Sequence, residues 1–119
     1  MNIKLDKDYE VKCTLGTIRD IEVAFGKPFI SVISGIDKLT TAEQIKLLYL
    51  GVKRADNTIT EVDFTSECEN NLGLGDFTEY LETYIMQLQY PGKTPEEIQQ
   101  KIEKKLQRAE AMKGLTSSL

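Results

Sequence analysis

The chain has no histidine and only two cysteines, Cys13 and Cys68, so the side chains that most often carry nucleophilic or metal chemistry are nearly absent. A Ser–His or Cys–His couple has no base to draw on. Two thiols without histidine fall short of the ligand set of a structural zinc site. Their separation along the chain is far from the C-x-x-C of a redox pair, and reduced, structural cysteines are expected. The stretch Gly73-Leu74-Gly75-Asp76-Phe77 sets a G-x-G ahead of a helix start. That pattern cradles phosphate when a third glycine and a basic residue follow. Neither follows, and Asp76 stands where the anion would sit, so the stretch reads as a turn between two helices. No calcium-loop spacing occurs. Carboxylates and lysines are the remaining general-base types, and no spacing marks a pair of them. An enzyme is not expected, nor a cofactor or a metal.

One polar residue stands out. Glu22 lies inside "CTLGTIRDIEVAFGKPF" (Cys13 to Phe29), seven residues after Leu15 and four after Ile18. On a helical wheel it falls between them, at the rim of an apolar stripe. A carboxylate buried there without a partner would be strongly destabilising. A structural role is expected, with a lysine or arginine beside it or a neighbouring helix to cap. Contact with another protein is the functional alternative, and catalysis is the least expected.

The elements that must position these residues follow from periodicity. At 119 residues, 40% apolar and 29% charged, the chain reads as a single domain (1–119) able to bury a core. Ile3 and Leu5, then Tyr9, Val11 and Cys13 alternate around an Asp-Lys-Asp turn, which predicts a β-hairpin over 1–13. A helical body is expected over 14–92. Its first helix starts at Thr14 or Thr17, shows a face of Leu15, Ile18, Ile21 and Phe25, and ends at Gly26 before Pro28. A short helical segment follows, from Pro28 to Gly35. The next helix opens with a Thr40–Glu43 capping box. Ala42, Ile45, Leu48, Tyr49 and Val52 form its stripe, while Leu47 and Leu50 lie outside it, so it should be covered on more than one side. Gly51 within it costs about 1 kcal/mol against alanine, a cost that a close neighbour would explain. Phe64, Cys68 and Leu72 mark one more helix. Phe77, Tyr80, Leu81, Tyr84 and Leu88 mark another, capped by Asp76 with Glu79 and stopped at Pro91-Gly92. The fold class is mainly α: a small helical bundle with an N-terminal β-hairpin.

Residues 93–114 predict an amphipathic C-terminal helix, with Thr94 as cap and Pro95 at its first position; 115–119 are expected to fray. The helix has a narrow apolar stripe of Ile98, Ile102, Leu106, Ala109 and Met112. Such a stripe suits either docking on the bundle or a partner protein or second copy, and these five residues are the candidate partner-binding set. The net charge is −4, with 9 basic and 15 acidic residues over 1–92 and 6 and 4 over 93–119. An acidic chain in which no helix joins a basic face to a preceding short turn is a poor nucleic-acid binder. No apolar run reaches membrane-spanning length, and the opening residues lack a secretory signal's apolar core, so an intracellular location is expected.

The order of elements also carries a resemblance. A short hairpin leading into L-G-T-I-R-D-I-E-x-A-F-G-K-P-F, followed by a helix containing L-L-Y-L-G-V-K-R-A-D, resembles the small tail assembly chaperones of long-tailed bacteriophages. Their relatives occur in prophages and gene transfer agents. The matching positions are Leu15, Gly16, Ile21, Glu22, Gly26, Pro28 and Phe29, with Leu50 and Gly51 later; the likeness spans roughly residues 3–55. It implies no catalytic residues and a transient protein in the cytoplasm of the bacterial host. Such a protein binds the tape measure protein, and engages the tail tube protein in some cases. It keeps the tape measure soluble until the tube polymerises around it. Self-association would make that binding multivalent. The alternatives are a minor structural tail or connector protein, and a small regulatory module that binds proteins.

Overall fold

Ile3 and Tyr9 face each other across a two-stranded antiparallel hairpin, β1 (Asn2–Lys4) and β2 (Asp8–Glu10), and both are buried. The computed structural model describes residues 1–94, 96–97, 99–100 and 103–104. Five α-helices follow the hairpin among them: α1 (Leu15–Phe25), α2 (Phe29–Ser34), α3 (Thr41–Ala55), α4 (Glu61–Asn71) and α5 (Leu74–Gln89). A single 3₁₀ turn, Ile36–Lys38, joins α2 to α3. The molecule is a mainly helical bundle with an N-terminal hairpin.

A hairpin alone is marginal in water, and this one lies on the helices. Tyr9 meets the Phe64 ring of α4 edge-on at 5.4 Å. The Lys12 amide donates to the Gly51 carbonyl of α3 at 3.0 Å, and the Lys4 amide reaches the Tyr80 hydroxyl of α5 at 3.4 Å. Helix α3 is central, touching β2, α1, α4 and α5. Its buried residues are Ile45 and the unbroken run Leu47–Val52, as expected of a helix covered on more than one side. Gly51 is where the neighbours come closest. A Cβ there would lie 2.6 Å from Val11 Cγ1 and 2.7 Å from Tyr84 Cε1.

Three expectations need correction. Leu15 is 83% exposed, and Thr17 takes its place in the core. At about 100° per residue Leu15 lies roughly 120° from Ile21, whereas Thr17 lies roughly 40° from it. Burial of the Thr17 hydroxyl is tolerable because it donates to the Lys12 carbonyl at 2.6 Å and accepts from the Thr14 amide. Thr14 is the N-cap. Ala42 lies outside the α3 stripe, exposed in the first turn. Helix α5 begins at Leu74 with Gly73 as N-cap, so Asp76 is within the first turn and forms no capping box with Glu79. A carboxylate suits that position through the helix dipole.

Candidate partner-binding surfaces

Glu22 sits half-buried at the corner between α1 and α2, and both its side chain and its backbone are used there. Oε2 accepts the Phe29 amide at 3.0 Å, one of the orphan donors at the start of α2. Its carbonyl accepts the Gly26 amide at 2.9 Å. Gly26 turns the chain in the left-handed conformation (φ 66°), which costs a residue with a Cβ about 1–2 kcal/mol. Pro28 then caps α2 without an amide of its own, and its carbonyl accepts from Ser31 and Val32. Of the two partners expected for Glu22, a cation and a helix terminus, the terminus is the one in place.

The thiols are free, buried and poorly suited to nucleophilic chemistry. Burial raises both, and for Cys68 the adjacent Glu67 and Glu69 add to it, pushing the thiol up to about 11. A reactive cysteine needs the opposite shift. Burial also raises the Tyr84 phenol well above its ordinary value. The hydroxyls of Tyr9 and Tyr84 have no hydrogen-bond partner among the described residues. Although the Gly51 backbone lies near enough to Tyr84 to favour its charged form, it does not reach hydrogen-bonding geometry. No group of three or more His, Cys, Asp or Glu is placed to hold a metal among the described residues.

Two of the concave surfaces among the described residues bear on binding. The first, about 260 Å³, lies where the start of α3, the end of α4 and the start of α5 meet. Ile45, Cys68, Leu72 and Phe77 line it, and Leu74 stands at its edge, 73% exposed. Gly73, read as a turn residue, lines this edge, while Gly75 lies within α5; a Cβ at either would meet nothing. Its volume is below the ~300 Å³ at which small-molecule sites begin. It suits apolar side chains projecting from a docked helix. The second, about 720 Å³, lies between α1 and α3. Lys12, Arg19, Lys53 and Arg54 border it with Asp20 as its sole acid, and Arg54 lies over Gly16 and pairs with Asp20 at 3.4 Å.

The sequence pointed to neither cleft. Leu74 was hidden within a glycine-rich stretch, and Lys12 and Arg19 lie 34 or more residues before Lys53 and Arg54. A signal was present nonetheless: the exposed pair Lys53-Arg54 directly follows the buried run Leu47–Val52.

The candidate set Ile98, Ile102, Leu106, Ala109 and Met112 lies outside the described residues. Close by, Thr94 Oγ1 accepts the Glu97 amide at 3.2 Å, and Lys93 pairs with Glu97 at 3.6 Å. Glu96, Glu97, Gln99, Gln100, Glu103 and Lys104 are helical and exposed. No helix among the described residues is long and apolar enough to cross a membrane. In comparisons with family models, curated proteins and solved structures, no match to this chain was found.

Proposed function

We propose that this protein is a tail assembly chaperone of the kind made by long-tailed bacteriophages, acting by non-covalent binding rather than catalysis. It binds apolar helical segments of the tape measure protein in the host cytoplasm and keeps them soluble until tail tube subunits polymerise around them. The observation that carries this reading is the apolar cleft at the α3–α4–α5 junction, with Leu74 exposed beside it. An apolar side chain left in water beside an apolar hollow is the arrangement that a helix-in-groove contact uses. The residues behind the resemblance also have concrete jobs in the fold. Glu22, Gly26 and Pro28 build the α1–α2 corner, and Gly51 lets Val11 and Tyr84 approach α3.

The test is co-expression with a phage tape measure protein from the same genome, read by solubility and by co-purification. A soluble, co-purifying tape measure protein supports the reading. A tape measure protein that stays insoluble and unbound while this chain is well folded overturns it. Recovery of the chain from finished virions would favour the structural tail protein instead.

A further inference from the structure

The cleft between α1 and α3 is charged against the rest of the molecule. Four cations, Lys12, Arg19, Lys53 and Arg54, face one acid, Asp20, in a protein whose net charge is −4. The Arg54–Asp20 pair accounts for one cation. Lys12, Arg19 and Lys53 have no ion-pair partner among the described residues. Gathering like charges around a hollow is unfavourable in the free protein, and an anion entering it relieves that repulsion. The cleft is not purely polar. Val23 is 77% exposed on its wall, and Leu50 lies at its base.

From this we propose that the α1–α3 cleft is a docking site for a short acidic segment of a partner protein, one carrying a few carboxylates around an apolar side chain. The carboxylates would pair with Arg19, Lys53 and Lys12, and the apolar side chain would cover Val23. Arg19 offers the planar fork that suits bidentate carboxylate binding. A nucleic acid fits less well. No aromatic side chain lines the cleft for base stacking. A long polyanion is also disfavoured by the rest of the surface, where α4 and α5 carry Glu61, Asp63, Glu67, Glu69, Asp76, Glu79 and Glu82 and no cation. The chain's own C-terminal residues 105–119 have the wrong sign, with Lys105, Arg108 and Lys113 against Glu110. The site is separate from the apolar cleft, and the assignment does not depend on the chaperone reading.

The experiment uses a fluorescein-labelled peptide of about twelve residues built from Glu-Glu-Ala-Leu repeats, with a Lys-for-Glu version as control, at about 50 mM salt. Binding is followed by anisotropy, and its place by backbone amide shifts of the labelled protein. The expected result is salt-sensitive binding of the acidic peptide only, with shifts centred on Lys12, Arg19, Val23 and Lys53. The exposed-site double variant Arg19→Glu, Lys53→Glu should bind at least ~10-fold more weakly, with an unchanged circular dichroism melt as the folding control. Undiminished affinity in that variant, or no binding, overturns the proposal. So do shifts centred on Leu72, Leu74 and Phe77, which would place the peptide in the apolar cleft. Tighter binding of a single-stranded DNA of equal length would give the cleft to nucleic acid instead. Concentration-dependent sedimentation of the protein alone, lost in the double variant, would give it to a second copy.

Discussion

Glu22 ties α1 to α2 through its side chain and closes the end of α1 through its carbonyl, and that defines what a substitution should do. Glu22→Ala removes the acceptor for the Phe29 amide, and loss of a cap costs about 0.5–2 kcal/mol. Glu22→Gln keeps a carbonyl oxygen in place and should recover most of that stability. Urea unfolding of the two variants beside the parent checks this, and equal losses would mean that charge rather than the acceptor matters. Gly51 poses the opposite question, because alanine improves helix propensity by about 1 kcal/mol yet its methyl would collide with Val11 and Tyr84. Both neighbours are packed in the core, at 2% and 0% exposure, so neither can swing away. Overpacking of this kind costs about 1–3 kcal/mol, and steric strain should win. Gly51→Ala is expected to lower the melting temperature; a variant as stable as the parent would show that the segment at Val11 or α5 gives way easily.

At the scale of elements, α3 is the post against which the hairpin and three helices lean, while the junction of α3, α4 and α5 supplies the apolar cleft. Leu74 separates the binding role proposed for the cleft from the core's stability. It is mostly exposed and first in α5, where an aspartate is favourable to the helix dipole. Leu74→Asp should therefore change stability by no more than about 0.5 kcal/mol and yet abolish solubilisation of the tape measure protein in co-expression. If solubilisation survives, the cleft is not where the partner docks. The thiol beside this cleft is Cys68, raised by burial and its glutamate neighbours, so the element carries no ready nucleophile.

Across the whole molecule, the titrating groups define a stability plateau with two falling limbs. Hydrogen bonds from Thr40 lower Glu43 below its ordinary 4.5, and hydrogen bonds from Thr58 lower Asp56 below 3.8. The unfolded chain then takes up protons first on acidification. That contribution is present above the unfolded values and lost as pH falls through the folded ones. The buried thiols and Tyr84 shift the other way. The unfolded chain releases those protons first, so stability declines as pH rises from 9.0 towards about 11 for Cys68. With no histidine, no side chain of ordinary pKa titrates between these limbs. Urea midpoints should be level from about pH 5.5 to about pH 8. Glu43→Gln should flatten the acid limb without altering the alkaline one. A pronounced slope within the plateau would count against this account.

Much of this architecture is legible before any coordinates, because caps and periodicity are local. Thr40 with Glu43, Gly26 with Pro28, and the Ile3–Tyr9 alternation name helix ends and strand faces through bonds that span a few residues. Gly51 announced a close neighbour, though only the packing identifies it as Val11 and Tyr84. Faces were less secure where apolar and polar residues compete: Thr17 displaced Leu15 because a carbonyl five residues back could satisfy its hydroxyl. Of the clefts, only the Lys53-Arg54 pair left a trace in the sequence. Charge along the chain is a one-dimensional sum, whereas the basic cleft exists because α1 packs on α3 and brings Arg19 beside Lys53. The apolar cleft likewise exists because three helix ends converge around Leu74. Local bonding sets the elements; which surfaces they leave open depends on long-range packing, and no short stretch of residues encodes that.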